Sequence, residues 1–82
     1  MTSTSDTDGL VHYIIESLVD NPADVSIEKR EDSRQTVYEV QVNSDDVGKV
    51  IGRQGRVIKA VRTLVRAAAS VDGSEATVEI LG

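Results

Sequence analysis

Cysteine, phenylalanine and tryptophan are missing from this chain, and methionine and proline occur once each. Without cysteine there is no disulfide, no thiolate nucleophile and no Cys-ligated zinc. Aromatic surface is limited to Tyr13 and Tyr38. Long apolar runs are missing too, since none approaches the ~18 residues that a membrane span needs. The first residues, MTSTSDTDG, have neither the basic nor the apolar region of a signal peptide. A soluble cytoplasmic protein is therefore expected. At 82 residues the chain has room for one small domain. A domain near this size buries only ~60% of the surface that its unfolded chain exposes, which leaves its stability marginal and invites a partner.

Acidic residues are also missing, but only locally. None lies between Val47 and Val71, where Lys49, Arg53, Arg56, Lys59, Arg62 and Arg66 fall. All 14 acids lie elsewhere, beside only Lys29, Arg30 and Arg34. The formal net charge of −5 thus combines a segment of +6 with a remainder of −11 (3 − 14). Local fields of this kind, more than the total, decide what a surface attracts. The plainer alternative is a solvated helix face with a chance excess of basic residues.

Periodicity supplies the elements. Residues 1–7 are rich in Ser, Thr and Asp and read as a disordered tail ahead of a domain at 8–82. Apolar residues at 10, 11, 14, 15, 18 and 19 recur one helical turn apart, with Asp6 or Asp8 as a candidate cap and Asn21-Pro22 as the stop. Val25 and Ile27 then alternate with polar residues as a strand, and residues 29–35 read as a polar turn or loop. Thr36, Tyr38, Val40 and Val42 alternate through a second strand, paired with the first as a hairpin. Ser44 is the expected cap of a short helix ending near Ile51, with Asp45 and Asp46 in its first turn. After Gly52-Arg53-Gln54-Gly55, a longer helix over 56–70 turns Val57, Ile58, Val61, Leu64, Val65 and Ala68 inward and Lys59, Arg62 and Arg66 outward. Asp72-Gly73 stops it, and Ala76, Val78 and Ile80 alternate through a last strand. The order α-β-β-α-α-β predicts an α+β fold: a three-stranded sheet with three helices on one face.

The informative stretch is Val50-Ile51-Gly52-Arg53-Gln54-Gly55-Arg56-Val57-Ile58-Lys59. Two glycines three apart are weak evidence alone, but these join two helices, enclose polar residues and are flanked by basic ones. Glycine serves where the backbone takes positive φ or a ligand approaches closely. Arg53 offers a phosphate charge, Gln54 an amide donor, and the start of the long helix offers N–H groups and a positive dipole end. Lys49, Arg56 and Lys59 extend the basic surface, and Val50 and Ile51 could pack on base faces. Single strands suit such a groove because their bases are free to turn inward.

These residues resemble the signature of KH domains, in which a GXXG loop clamps a nucleic-acid backbone. The element order is similar to the type II KH arrangement, and the chain from Leu10 to Ile80 resembles the small bacterial KhpA family. That resemblance implies an RNA-binding loop at Gly52, Arg53, Gln54 and Gly55, single-stranded RNA as ligand, and a role in RNA regulation and cell-envelope growth. It also implies a homodimer, or a heterodimer with a KhpB (Jag)-like KH protein.

No other chemistry assembles. His12 has no Cys or second His for a metal site, and adjacent Asp45 and Asp46 point apart on a helix. Gly52 to Gly55 is too short for a Walker loop, and there is no nucleophile–base pair. Neither an enzyme, a cofactor nor a metal is expected. A dimerisation module whose basic face meets an acidic protein remains the alternative. A DNA-binding helix-turn-helix fits less well, since the first of the two helices is short.

Overall fold

The computed structural model describes residues 7–71 and 73–81. Its helices are α1 (Thr7–Leu18), α2 (Val47–Ile51) and α3 (Arg56–Ser70); its strands are β1 (Ser26–Glu31), β2 (Thr36–Gln41) and β3 (Ala76–Leu81). Short 3₁₀ turns occupy Pro22–Asp24, Ser44–Asp46 and Arg53–Gly55. The chain order is the expected one. β2 lies in the middle of the sheet, antiparallel to β1 and parallel to β3. The segment carrying α2 and α3 is therefore the crossover between two strands that pair side by side.

Alternation along the strands decides which sheet face is covered. Tyr38 and Val40 on β2, with Val42 just beyond, and Ala76 and Val78 on β3 turn inward. They meet Val11 and Ile15 of α1, Val19 just beyond it, Val50 of α2, and Ile58, Val61, Val65 and Ala69 of α3. Burying a branched aliphatic side chain contributes roughly 1.5–3 kcal/mol, against at most about 1 kcal/mol for an exposed ion pair. This layer of Val and Ile, not the surface charge pairs, holds the fold together.

Among the described residues no helix covers the other sheet face. The register sets Glu28 opposite Glu39 and Glu39 opposite Glu79, so three glutamates stand abreast there. Like charges directly opposite one another oppose pairing. An ion pair from Arg30 to Glu39 relieves part of that.

Several elements differ from the sequence-based expectation. Residues 1–6 of the expected tail, with the candidate cap Asp6, lie outside the described residues, but Thr7 already opens α1 and is buried. Asp8 lies within the helix, and its carboxylate accepts from the Tyr38 hydroxyl and faces Lys29. β1 runs on through Lys29, Arg30 and Glu31, read as loop, because each finds a partner across the hairpin or on α1. Only four residues are left for the turn. There the Asp32 side chain accepts from the amides of Arg34 (2.7 Å) and Gln35 (2.8 Å), an Asx turn. The cap before α2 is Asn43 and not Ser44, its side chain accepting from Asp45 N at 2.8 Å. On α3, Leu64 is 53% exposed and Ala68 only half-buried, while Ala69 is buried. The inward stripe thus runs 58, 61, 65, 69. Of the stop at Asp72-Gly73, Asp72 lies outside the described residues and Gly73 takes φ +79°.

Candidate nucleic-acid interface

α2 lasts only five residues because Gly52 leaves helical geometry at φ 78°, ψ 171°. Its amide still bonds back to Gly48 O at 2.8 Å, closing α2. A 3₁₀ turn follows, in which Gly55 N donates to Gly52 O at 3.1 Å and Gly55 takes a left-handed φ of 73°. Gln54 sits between them at φ 57°, ψ 25°, the single non-glycine residue at positive φ among the described residues. Holding a side chain there costs on the order of 1–2 kcal/mol.

The two glycines have different reasons to be glycine. A Cβ on Gly52 would lie 2.3 Å from Val57 Cγ2 and 2.8 Å from Val57 N. That contact is with the fold's own backbone, so Gly52 is required by the α2–α3 crossing whether or not a ligand comes near. A Cβ on Gly55 would meet nothing closer than Ile58 Cγ2 at 3.9 Å, so conformation alone demands glycine there and the space beside it is open. The turn also uses amides that a helix start would otherwise present: Gly55 N bonds Gly52 O and Arg56 N bonds Arg53 O.

Side chains decorate this frame unevenly. Arg53, Gln54, Arg56 and Lys59 are exposed, and the carbonyl of Gln54 accepts from Arg56 Nη2 at 3.3 Å, which turns its amide outward. None of Arg53, Arg56, Lys59, Arg62 and Arg66 forms an ion pair with a described residue. Lys49 differs from them: its ammonium is held by Asp20 and lies 3.4 Å from Asp46 Oδ1. Asp20 first, and Asp46 as well, raise its pKa against the opposing effect of burial. Its charge is largely satisfied within the molecule. Val50 is fully buried in the core and has no side-chain surface for a base, because α2 turns it against α3 and the sheet. Ile51 keeps part of its surface. Gly52, Arg53, Gln54, Gly55, Arg56 and Lys59 thus form one continuous patch, with Ile51 at its border and Lys49 tied off beside it. Arg66, further along α3, borders a cleft of about 600 Å³ with Ser70, Glu75 and Thr77.

The support behind this patch was not foreseen. Asp46 is fully buried. It accepts from Asp20 N (3.2 Å), Asn21 N (3.0 Å) and Asn21 Nδ2 (3.1 Å), and so ties the end of α1 to the start of α2. Burial pushes its carboxyl up, but the bonds from Asp20, Asn21 and Lys49 together outweigh that and hold it below the usual carboxylate range. Arg62, expected to point outward with its neighbours, is half-buried and donates Nε–H to Val78 O at 2.9 Å. Of the tyrosines, Tyr38 is buried and Tyr13 is 72% exposed on α1.

The model of the KH domain of KhpA/KhpB matches residues 8–80. The RNA-binding protein KhpA of Clostridium perfringens is 44% identical over 72 residues, covering 88% of this chain and 96% of the relative. That of Oceanobacillus iheyensis is 47% identical over 66 residues, covering 80% and 87%, and that of Borreliella burgdorferi is 40% identical over 72 residues, covering 88% of each. No solved structure matches. With that model matching nearly the whole chain and these relatives 40–47% identical to it, the chain belongs to the KhpA/KhpB KH-domain family.

Proposed function

We propose that this protein binds single-stranded RNA, holding about four nucleotides with their phosphates at Gly52, Arg53, Gln54 and Gly55. Arg56 and Lys59 continue the positive surface, Ile51 offers an apolar edge, and Lys49 contributes only if its pairs with Asp20 and Asp46 loosen. Such a module acts as an RNA chaperone or regulatory adapter in the cytoplasm and carries no catalytic group. The observation that carries this reading is the set of unpaired cations around an open left-handed turn, in a segment without a single acid. The relatives' name, RNA-binding protein KhpA, supports it. The test is fluorescence anisotropy of a labelled single-stranded RNA pool. Arg53→Asp with Gln54→Asp should abolish binding while the domain stays folded, and wild-type affinity should fall linearly with salt on logarithmic axes. Equal affinity in the folded double mutant would sink the proposal.

A second reading, self-association or pairing with a KhpB (Jag)-like KH protein, is favoured by α3. Ala60, Leu64 and Ala67, with Val71 one turn on, are exposed at helical spacing, Leu64 by 53% and Val71 by 64%. Sedimentation velocity at rising concentration tests it, with Leu64→Glu expected to keep the chain monomeric. The RNA patch gathers at the start of α3 and the apolar row runs on along it to Val71, so the two readings are compatible.

A further inference from the structure

Arg62 stands apart from its basic neighbours. Lys59 and Arg66 are exposed, whereas Arg62 is half-buried with its Nε–H on the main-chain carbonyl of Val78. Among the described residues β3 pairs with β2 alone, so its other edge is open. In a parallel ladder the main-chain groups of alternate residues turn to the same side. Glu75 O accepts from Thr36 N at 2.9 Å, so Glu75, Thr77 and Glu79 turn toward β2. Ala76, Val78 and Ile80 then turn toward the open edge, and Arg62 occupies the carbonyl in the middle of that row.

We infer that Arg62 sets base preference where the open edge of β3 borders α3, by converting an acceptor position into a donor position. The inference rests on the RNA-binding reading above. A bare edge carbonyl would accept the exocyclic amine of adenine or cytosine. With Nε–H seated on Val78 O that acceptor is taken, and the other N–H groups of the guanidinium are left to face a ligand. O4 of uracil and O6 of guanine match such donors; the exocyclic amines that cytosine and adenine carry at those same positions do not. Arg62 lies seven residues beyond Gly55, ~10 Å along the helix, within the span of a stretch of four nucleotides held at the loop. A charged side chain on a strand edge also discourages strand addition. A role confined to that would leave base preference unmoved.

The experiment compares labelled oligo(U), oligo(A) and oligo(C) of equal length by anisotropy, for wild type, Arg62→Met and Arg62→Lys, with circular-dichroism melts to verify folding. Wild type is expected to favour oligo(U). Arg62→Met should lower the oligo(U):oligo(C) affinity ratio by about fivefold, one hydrogen bond's worth. Arg62→Lys keeps the charge but lacks the planar fork, and should keep the salt slope while losing the preference. An unchanged ratio in the folded variants, or an equal fall on all three oligomers, overturns the inference and leaves RNA binding standing. A folded wild type that binds none of the three overturns the RNA-binding reading, and this inference with it.

Discussion

The helix side and the bare face of the sheet handle charge in opposite ways. On the sheet face, Arg30 is paired with Glu39 while Glu28 and Glu79 flank that pair as unneutralised acids. On the helix side, Lys49 is paired while Arg53, Arg56 and Lys59 are left open to a ligand. The net charge of −5 is a sum over the whole chain and describes neither surface. Distance decides whether they cancel. The shortest dimension of the molecule is 19 Å. That is more than two screening lengths at physiological salt, where the length is ≈ 8 Å, but less than one at 0.01 M, where it is about 30 Å. An anion near the loop thus meets mainly the charges close to it at physiological salt and the whole molecule's field at low salt.

The frame of the loop is its most vulnerable part. Gly52→Ala should cost about 3 kcal/mol or more of unfolding free energy, since a Cβ at positive φ would collide with the backbone of Val57. Urea denaturation checks it, and RNA binding should disappear along with the loop. A smaller loss is expected at Asp46→Asn, which keeps the shape of the buried clamp and removes its charge. The folded pKa of Asp46 is depressed, so its contribution is fully present above the unfolded value of about 3.9 and is lost as pH falls through the folded value. Urea midpoints at neutral and acid pH should therefore converge in the variant relative to wild type. Glu79→Lys, which sets a cation beside Glu39, should stabilise the sheet by about 0.5 kcal/mol. It should also raise RNA affinity at low salt and leave it unchanged at physiological salt. A gain of equal size at both would mean that the two faces are not electrically separate. The smallest effect is expected at Gln54→Gly: relief of left-handed strain is offset by added freedom in the unfolded chain, leaving stability within about 0.5 kcal/mol of wild type.

What was legible in the sequence was whatever repeats locally. The turn-spaced apolar residues of α1 and the alternation of β2 and β3 fixed element type, and the switch between the two periods fixed their order. The glycine pair and its basic flanks marked the loop. Features that depend on tertiary register were not legible. Asp46 looks like a helix-dipole partner beside Asp45, and its true partners lie 25 and 26 residues away. Arg62 shares a helical face with Lys59 and Arg66, and only the packing of α3 along β3 singles it out. The three abreast glutamates are far apart in the chain and appear as a row only once both strand registers are known. Gly52 was read as a place for positive φ or close ligand approach; it does take φ 78°, and the nearness of Val57, which the sequence does not show, demands glycine as well.

The place of β2, paired on both sides along its whole length, has a consequence for how the molecule opens over time. Its main-chain amides are released to solvent only when the sheet comes apart, so they should exchange deuterium at the slow, global rate. The loop 52–55 hangs from the crossover between that strand and its parallel neighbour, exposed and outside any ladder. A bound strand of RNA would slow exchange in the loop against a fast local background while the β2 amides served as an internal clock.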